Sequence, residues 1–499
     1  MGGSVSLENN NISNNLHSNL HLGYNNSSSL SGNSSDAEGI NHSEGNTTNH
    51  SDSRDLDWSN RYMRLFRNIT LKANGTFAFA HSEKESLKNQ TISYVEDDIA
   101  STAFTQRILT PSENISLRGE TALNVGLGKR INGLFPVSLD FGYKCNYLNK
   151  KSDYNLYSGN IYSTELDIDH DLSYKYSERN LDHNVNVAIN IRKSSFYMMT
   201  GVTVSAVQRW GDVAYANGTS RDTTMCSLMV SPTFTASYMK GFSEIYSFNY
   251  SGIPTLAEIR TLMDTGDYSN PLIIRMGNSN LKQSFAHNFN IMLRRRALKA
   301  NANLALIQNA FSTYTKYNNQ TGQRITMPTN INGNMLAGAS ISYGTYIGEV
   351  KLDAKTSYNF SRSANYVEVA GSDSSQKGIS NNHNLVFDLS PSYSNKSLVT
   401  YFDIKYSLSH RVNDYYHHGA NTRLASISAE AKYNITKHFI LASSLDMRAY
   451  SGYELKEANR NVCLWNASVE YKFWKQRATV GINCVDILNS LDDLTSQMN

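Results

Sequence analysis

Apolar and polar residues alternate with a period of two from about residue 70 almost to the end of the chain. Side chains point to opposite faces at successive positions of a β-strand, so this period predicts strands with one apolar and one polar face. The clearest case is 115–128, where Ile115 and Leu123 share one face while Arg118 and Glu120 lie on the other. A helical fold would need a period near 3.6, which the sequence does not show.

The same unit recurs as roughly eighteen strands, each of about 10–14 residues. Short connections are predicted near 129–136, 193–195, 240–241, 295–297, 344–347, 394–397, 435–437 and 474–477. Long ones are predicted at 148–182, 210–224, 251–283, 311–332, 360–381, 411–421 and 451–460. Strict alternation of short and long connections is typical of an up-and-down meander with tight turns at one rim and large loops at the other.

The polar face carries opposite charges two residues apart, as in Arg118/Glu120, Lys351/Asp353 and Asp446/Arg448. A charge facing hydrocarbon at mid-bilayer would cost about 2–4 kcal/mol, so we expect these ladders to line a wet interior. Tyrosines recur just before the short turns, where a headgroup belt suits them. The predicted fold class is therefore all-β, an antiparallel up-and-down transmembrane β-barrel in contact with outer-membrane lipid.

Composition excludes several other classes. No apolar run approaches the ~18 residues that a membrane-spanning helix needs. A net charge of +3 gives no nucleic-acid footprint, so nucleic acid is not an expected partner. Catalytic and phosphate-binding motifs are not found, and Gly126-Leu127-Gly128 lacks the third glycine of a dinucleotide loop. We expect no enzyme activity, no cofactor and no metal, and we interpret the cysteines on the apolar faces as small hydrophobic residues.

The chain divides into two predicted parts. Residues 1–60 form a polar, Asn- and Ser-rich segment with a candidate first strand around Leu20–Tyr24 and a long extracellular loop, and residues 61–499 form the barrel. Residues 166–176 also alternate, but counting them as a spanning strand would break the order of short and long connections. We therefore place them in a long loop, as an extension of a strand beyond the bilayer.

Aromatic and histidine side chains on the long loops are the candidate ligand contacts. Tyrosine rings stack on sugars or aromatic chelates, and a histidine pair is able to contact a ligand or metal. The candidates are Tyr314, Tyr317, Tyr415, Tyr416, His417 and His418.

The long loop at 251–283 carries the most specific motif. It contains Pro254, then Asn270-Pro271, then Gly277-Asn278 followed by Leu281. This order resembles the long loop of the TonB-dependent receptor barrel, in the outer-membrane β-barrel family common in Bacteroidota. The resemblance spans about residues 115–490, with Ser279 and Gln283 standing where that family has prolines.

The resemblance implies a barrel of about 22 strands with a plugged lumen, located in the cell outer membrane. It also implies energised uptake of a large nutrient, such as a siderophore, glycan or peptide, captured by the extracellular loops. The implied partners are the nutrient ligand, the TonB complex acting through a plug domain, and a surface lipoprotein. The sequence shows no signal peptide, plug or closing strands, so we expect the barrel portion alone, truncated at both ends.

Two other functions stay open at this point. One is a plug-less outer-membrane channel or structural barrel. The other is a surface-displayed, β-rich adhesin, which would favour polar outer faces or a repeat of fixed length.

Overall fold

The computed structural model describes residues 2–11, 14–37, 41–94, 102–129, 135–160, 166–241, 243–263, 266–270, 272–318, 322–367, 372–414, 418–474 and 477–489. The first strands are β1 (Gly2–Asn11), β2 (Asn14–Ala37), β3 (Asn41–Leu65), β4 (Ile69–Tyr94), β5 (Thr102–Leu127), β6 (Val137–Asn160), β7 (Asp167–Ile168), β8 (Tyr174–Lys193), β9 (Phe196–Tyr215), β10 (Ser220–Lys240) and β11 (Glu244–Thr255). A short helix, α1 (Ile259–Leu262), follows.

The second half continues with β12 (Gly266–Asn270), β13 (Ile273–Met276), β14 (Ser284–Arg295), β15 (Leu298–Gln308), β16 (Ala310–Tyr317), β17 (Arg324–Ile331), β18 (Asn334–Ile347), β19 (Val350–Val367), β20 (Gln376–Ser394), β21 (Leu398–Asn413), β22 (His418–Asn434) and β23 (Phe439–Ser451). A 3₁₀ turn (Lys456–Ala458), β24 (Asn461–Phe473) and β25 (Ala478–Cys484) complete it. In the described part of the chain, no helix is long and apolar enough to cross a membrane.

Twenty-one of these strands form one sheet. Its strands pair antiparallel in chain order, except that β6 pairs with β8, β11 with β14 and β15 with β18 across intervening segments. The predicted all-β, up-and-down fold is confirmed. In the described residues β1 pairs only with β2, and β25 only with β24, so the sheet has two free edges.

The apolar face is not a sealed core. Phe141 is 43% exposed, Phe387 44% and Ile341 57%, and each lies on the face opposite the charges. So large an exposed apolar surface indicates contact with lipid. On the other face the predicted ladders form, with N–O distances of 3.0 Å for Arg118–Glu120, 2.6 Å for Lys351–Asp353 and 2.8 Å for Arg448–Asp446.

Tight turns gather at one end of the sheet and long connections at the other, as predicted. One turn is displaced from 344–347 to Gly348–Glu349, because β18 continues to Ile347. Gly348 has φ +62°, the left-handed conformation that a two-residue hairpin turn of this kind requires.

The extension predicted at 166–176 is confirmed in part, since β8 begins at Tyr174 and the residues before it form only the short β7.

The polar segment at the start of the chain holds more strand than expected. The alternation at Leu20–Tyr24 lies within β2, as predicted, but β2 continues to Ala37 and the chain returns along β3. A hairpin ladder satisfies its backbone groups whatever the side chains are, so polarity alone does not mark a loop. The main sheet has 21 strands, against the roughly eighteen predicted.

A second, four-stranded sheet is built from the long connections, in the order β12-β13-β17-β16 with β13 and β17 parallel. The long connection predicted at 311–332 is confirmed, and β16 and β17 form a hairpin within it. The predicted loop at 251–283 likewise contains α1, β12 and β13.

Candidate ligand-binding cavity

A cavity of about 670 Å³ lies at the long-loop end of the sheet, on the polar face. Tyr176 and Val187 are an odd number of residues apart in β8, so Tyr176 faces away from the lipid-facing Val187. The strands β8 and β9 form one wall, and α1 and the four-stranded sheet form the others. The lining residues are Tyr174, Tyr176, Val213, Tyr215, Arg260, Thr261, Ile273, Arg275, Met276, Gly277, Thr313, Thr315, Arg324, Thr326, Met327 and Pro328.

The helix α1 is held against the inner face of the strands by an apolar cluster. Ile259 and Met263 are 0% and 1% exposed, and they pack with Tyr176 and Val213. Gly211 of β9 makes room for Ile259, because a Cβ at Gly211 would lie 3.0 Å from Cγ1 of Ile259. The loop before the helix is fixed as well, because Nη1 of Arg209 donates to the Ala257 carbonyl at 2.8 Å.

The motif residues of the long loop have structural roles beside this helix. A Cβ at Gly277 would lie 1.6 Å from the carbonyl oxygen of Met263, so only glycine fits there. The backbone N–H of Asn278 donates to Thr261 at 2.7 Å, and its side-chain amide donates to the Pro328 carbonyl at 2.9 Å. Leu281 packs against the apolar cluster. These residues tie α1 to β17 and so close the cavity.

The other motif residues lie further from it. Pro254 is near the end of β11, opposite Phe285. Asn270 is the last residue of β12, and Pro271 lies outside the described residues.

Three arginines line the cavity: Arg260 from α1, Arg275 from β13 and Arg324 from β17. The Arg260 guanidinium lies 5.9 Å from the ring centre of Tyr174 and 5.6 Å from that of Tyr176, and Nη2 donates to the Tyr174 hydroxyl. Arg324 lies 5.9 Å from the ring centre of Tyr317. The lining residues are therefore rich in guanidinium groups and phenol rings.

Tyr176 stays protonated in this setting. Burial raises the pKa of its phenol well above the ordinary value, and the neighbouring Glu178 carboxylate raises it further. The hydroxyl donates to Oε2 of Glu178 at 2.9 Å. The ring of Tyr176 is therefore a neutral aromatic surface beside the Arg260 charge.

The residues predicted as ligand contacts are not brought together at the cavity. Tyr314 and Tyr317 lie on β16, where their neighbours Thr313 and Thr315 line the wall instead. Tyr314 packs edge-on against Tyr366, with ring centres 5.3 Å apart. Tyr415, Tyr416 and His417 lie outside the described residues, and for His418, the first residue of β22, only the backbone is described.

Sequence reasoning missed the three arginines and the tyrosines of β8 and β9. They come from segments far apart in the chain, and although Tyr174 and Tyr176 belong to the alternating stretch 166–176, no local signal marks them as cavity residues. The described residues also hold no cluster of three or more histidine, cysteine, aspartate or glutamate side chains suited to a metal ion.

An antiparallel meander with a lipid-facing apolar surface, a charged inner face and a loop-built cavity defines the wall of an outer-membrane barrel. The family model described as outer membrane protein beta-barrel family matches residues 67–497. The chain therefore belongs to that family, which confirms the predicted fold and an outer-membrane location. The Bacteroidota branch stays a prediction.

Several solved structures are similar to this chain at low identity. The siderophore receptor PirA from Pseudomonas aeruginosa has 11% identity and a TM-score of 0.35, over 96% of this chain and 79% of PirA. A ferric enterobactin receptor (PfeA) mutant from the same organism, in complex with enterobactin, has 10% identity and a TM-score of 0.36, over 89% and 75%. The copper transporter OprC has 10% identity and a TM-score of 0.41, over 89% and 73%. No curated protein matches the sequence.

Proposed function

We propose that this chain is the barrel part of a TonB-dependent receptor that takes up a large nutrient across the outer membrane. The observation that supports this best is the cavity on the inner face at the long-loop end, where an incoming ligand would first meet the barrel. Its volume of about 670 Å³ is within the usual range for small-molecule sites. The family match and the resemblance of the 251–283 loop support the same function.

The ligand that suits this cavity is acidic. Guanidinium groups pair with carboxylates and other planar anions, and phenol rings stack on aromatic or sugar rings. Arg260, Arg275 and Arg324 at the wall offer guanidinium donors that an anionic ligand would use and a neutral glycan would not. Among siderophores, glycans and peptides we therefore favour an anionic siderophore, with an acidic peptide as the next class.

Binding by the full chain, extracted in detergent from the outer-membrane fraction, tests this function. The probes are a ferric tris-catecholate, a neutral maltoheptaose and an uncharged hexapeptide, each titrated by calorimetry. We expect the ferric complex alone to bind. Because a hydrogen bond to a charged group contributes about 1.5–3 kcal/mol, Arg260→Gln or Arg324→Gln should weaken binding about 10- to 100-fold.

Arg294→Gln is the matched control, since Arg294 is an exposed arginine of β14 next to the tight turn at the other rim. It should leave binding unchanged. Tight binding of maltoheptaose that is indifferent to the cavity arginines would overturn the assignment of an acidic ligand.

Energised uptake needs partners beyond this chain. The resemblance assigns coupling to a plug domain that contacts the TonB complex, and it makes a surface lipoprotein a candidate for delivering the ligand. Uptake of the ferric probe by producing cells should therefore stop when the proton gradient is collapsed, whereas a plug-less channel would continue to equilibrate it.

A further inference from the structure

The outer face of the sheet carries a second pocket, separate from the cavity. It measures about 370 Å³ and lies across β20, β21 and β22, where their lipid-facing residues approach the long-loop end. Its lining residues are Tyr358, His383, Leu385, Leu408, Ser409, His410, Asn421, Thr422 and Arg423.

The upper part of this pocket is polar and contains no lining carboxylate among the described residues. The His383 and His410 ring centres lie 5.9 Å apart, with the ring planes inclined at 38°. The hydroxyl of Tyr358 lies 2.8 Å from Nδ1 of His383, and the Nδ1 of His410 is hydrogen-bonded to Oδ1 of Asn421. When the tyrosine donates to Nδ1, a neutral imidazole carries its proton on Nε2, so His383 presents a donor to an outside partner.

The lower part of the pocket is apolar. Leu385 and Leu408 are paired across β20 and β21, directly below the histidine pair. His383 lies about ten residues along β20 from Tyr393 at the tight-turn end; at ~3.3 Å per residue and a tilt of 35–45°, that distance spans roughly 25 Å of height. This equals the usual height of the apolar band of an outer-membrane barrel, so the histidines lie at headgroup depth while the leucines lie among acyl chains.

Two further Tyr–His pairs repeat part of this arrangement on the same face. The Tyr143 hydroxyl lies 2.8 Å from Nδ1 of His183, and the Tyr250 hydroxyl lies 3.1 Å from Nδ1 of His287. Both histidines are close to the long-loop end of the apolar face. The β20–β22 pocket adds a second histidine and an arginine to such a pair.

From these observations we propose that the β20–β22 pocket is a binding site for the phosphate headgroup of an outer-leaflet lipid. The phosphate oxygens accept from His383 and Arg423, and one acyl chain lies along Leu385 and Leu408. The chemistry is that of an amphipathic anion, since the cationic and apolar parts of the site are stacked along the membrane normal.

Native mass spectrometry of the full chain, extracted from the outer-membrane fraction, tests this proposal. The probes are dioleoyl phosphatidic acid and dioleoylglycerol, which share acyl chains and differ in the phosphate, together with inorganic phosphate alone. We expect phosphatidic acid to be retained at least tenfold more than dioleoylglycerol. Arg423→Gln and His383→Gln should each lower that retention several-fold, and the double variant should abolish the preference.

Arg411→Gln is the matched control, because Arg411 follows His410 in β21 but lies on the opposite face, where Nε donates to Ser380. It should leave lipid retention unchanged, and all four variants should still bind the ferric tris-catecholate, which shows that the fold is intact. Equal retention of the two lipids, or an equal loss in Arg411→Gln, would overturn the proposal. Inorganic phosphate that binds as tightly as phosphatidic acid would also overturn it, since that result defines a site for a free anion.

Discussion

Gly277 shows how a single residue type controls the shape of the cavity. The chain passes so close to the end of α1 that a Cβ would lie 1.6 Å from the Met263 carbonyl oxygen. The backbone N–H of the next residue, Asn278, donates to Thr261 at 2.7 Å and fixes that approach. The close approach of the loop to α1 therefore requires both the absence of a side chain at Gly277 and the hydrogen bond from Asn278.

Gly277→Ala should therefore displace the loop from α1 at a cost of about 1–3 kcal/mol, the usual range for overpacking. We expect faster limited proteolysis within 256–283 and weaker binding of the ferric probe, with no change in the melting of the main sheet. Gly75→Ala in β4 is the control, because no atom lies within 4 Å of its Cβ position. Equal effects of the two substitutions would show that the close approach does not matter.

At this scale the sequence predicts the motif but not its purpose. Gly277, Asn278 and Leu281 stand out by their order along the loop, whereas their function as braces for α1 depends on contacts with β17. Arg260 and Arg324 have no distinguishing neighbours in the sequence. Arg260 and Arg324 come close together because the β11–β14 connection packs against the β15–β18 connection, and local sequence patterns do not predict that packing.

Among the elements, α1 depends almost wholly on tertiary contacts. A helix of one turn has no stability of its own. Ile259, at 0% exposure, and Leu262, at 6%, hold it against the extended ends of β8 and β9. The helix in turn presents Arg260 to the cavity.

Ile259→Ala should release this helix, because removing a buried isoleucine side chain costs about 2–5 kcal/mol. Hydrogen exchange of the backbone amides in 256–263 should accelerate by about 30-fold or more, while the strand amides of β8 and β9 stay protected. Leu455→Ala serves as the control, since Leu455 is 73% exposed on another long connection. Unchanged exchange in the first variant would mean that other contacts anchor α1.

Strands were easier to predict than loops for a physical reason. A membrane strand has hydrocarbon on one side and water on the other, so its sequence records the environment at every second residue. The β16–β17 hairpin lies away from that boundary and shows no such contrast, so the sequence predicts a long connection at 311–332 but not the hairpin within it. Polar β2 and β3 were underestimated for the same reason.

The whole molecule has two unlike rims. Tight turns such as Gly348–Glu349 form one, and long connections that build the cavity form the other. Outer-membrane barrels keep their short turns in the periplasm and their large loops outside the cell. The orientation of this chain follows from that rule.

Cysteine labelling in producing cells tests the orientation, in a background where the native cysteines are replaced by serine. Lys456→Cys, on a long connection, should react with a membrane-impermeant maleimide in intact cells. Lys437→Cys, in the tight turn between β22 and β23, should react only after the outer membrane is permeabilised. Labelling of both sites in intact cells would exclude the proposed orientation.

The direct pairing of β15 with β18 has one more consequence. The segment between them, which includes β16 and β17, adds no strand to the sheet that lies in the bilayer. Such an insertion is free to lengthen, shorten or diverge over evolutionary time while the scaffold stays constant. Related barrels with the same main sheet are in this way able to bind different ligands.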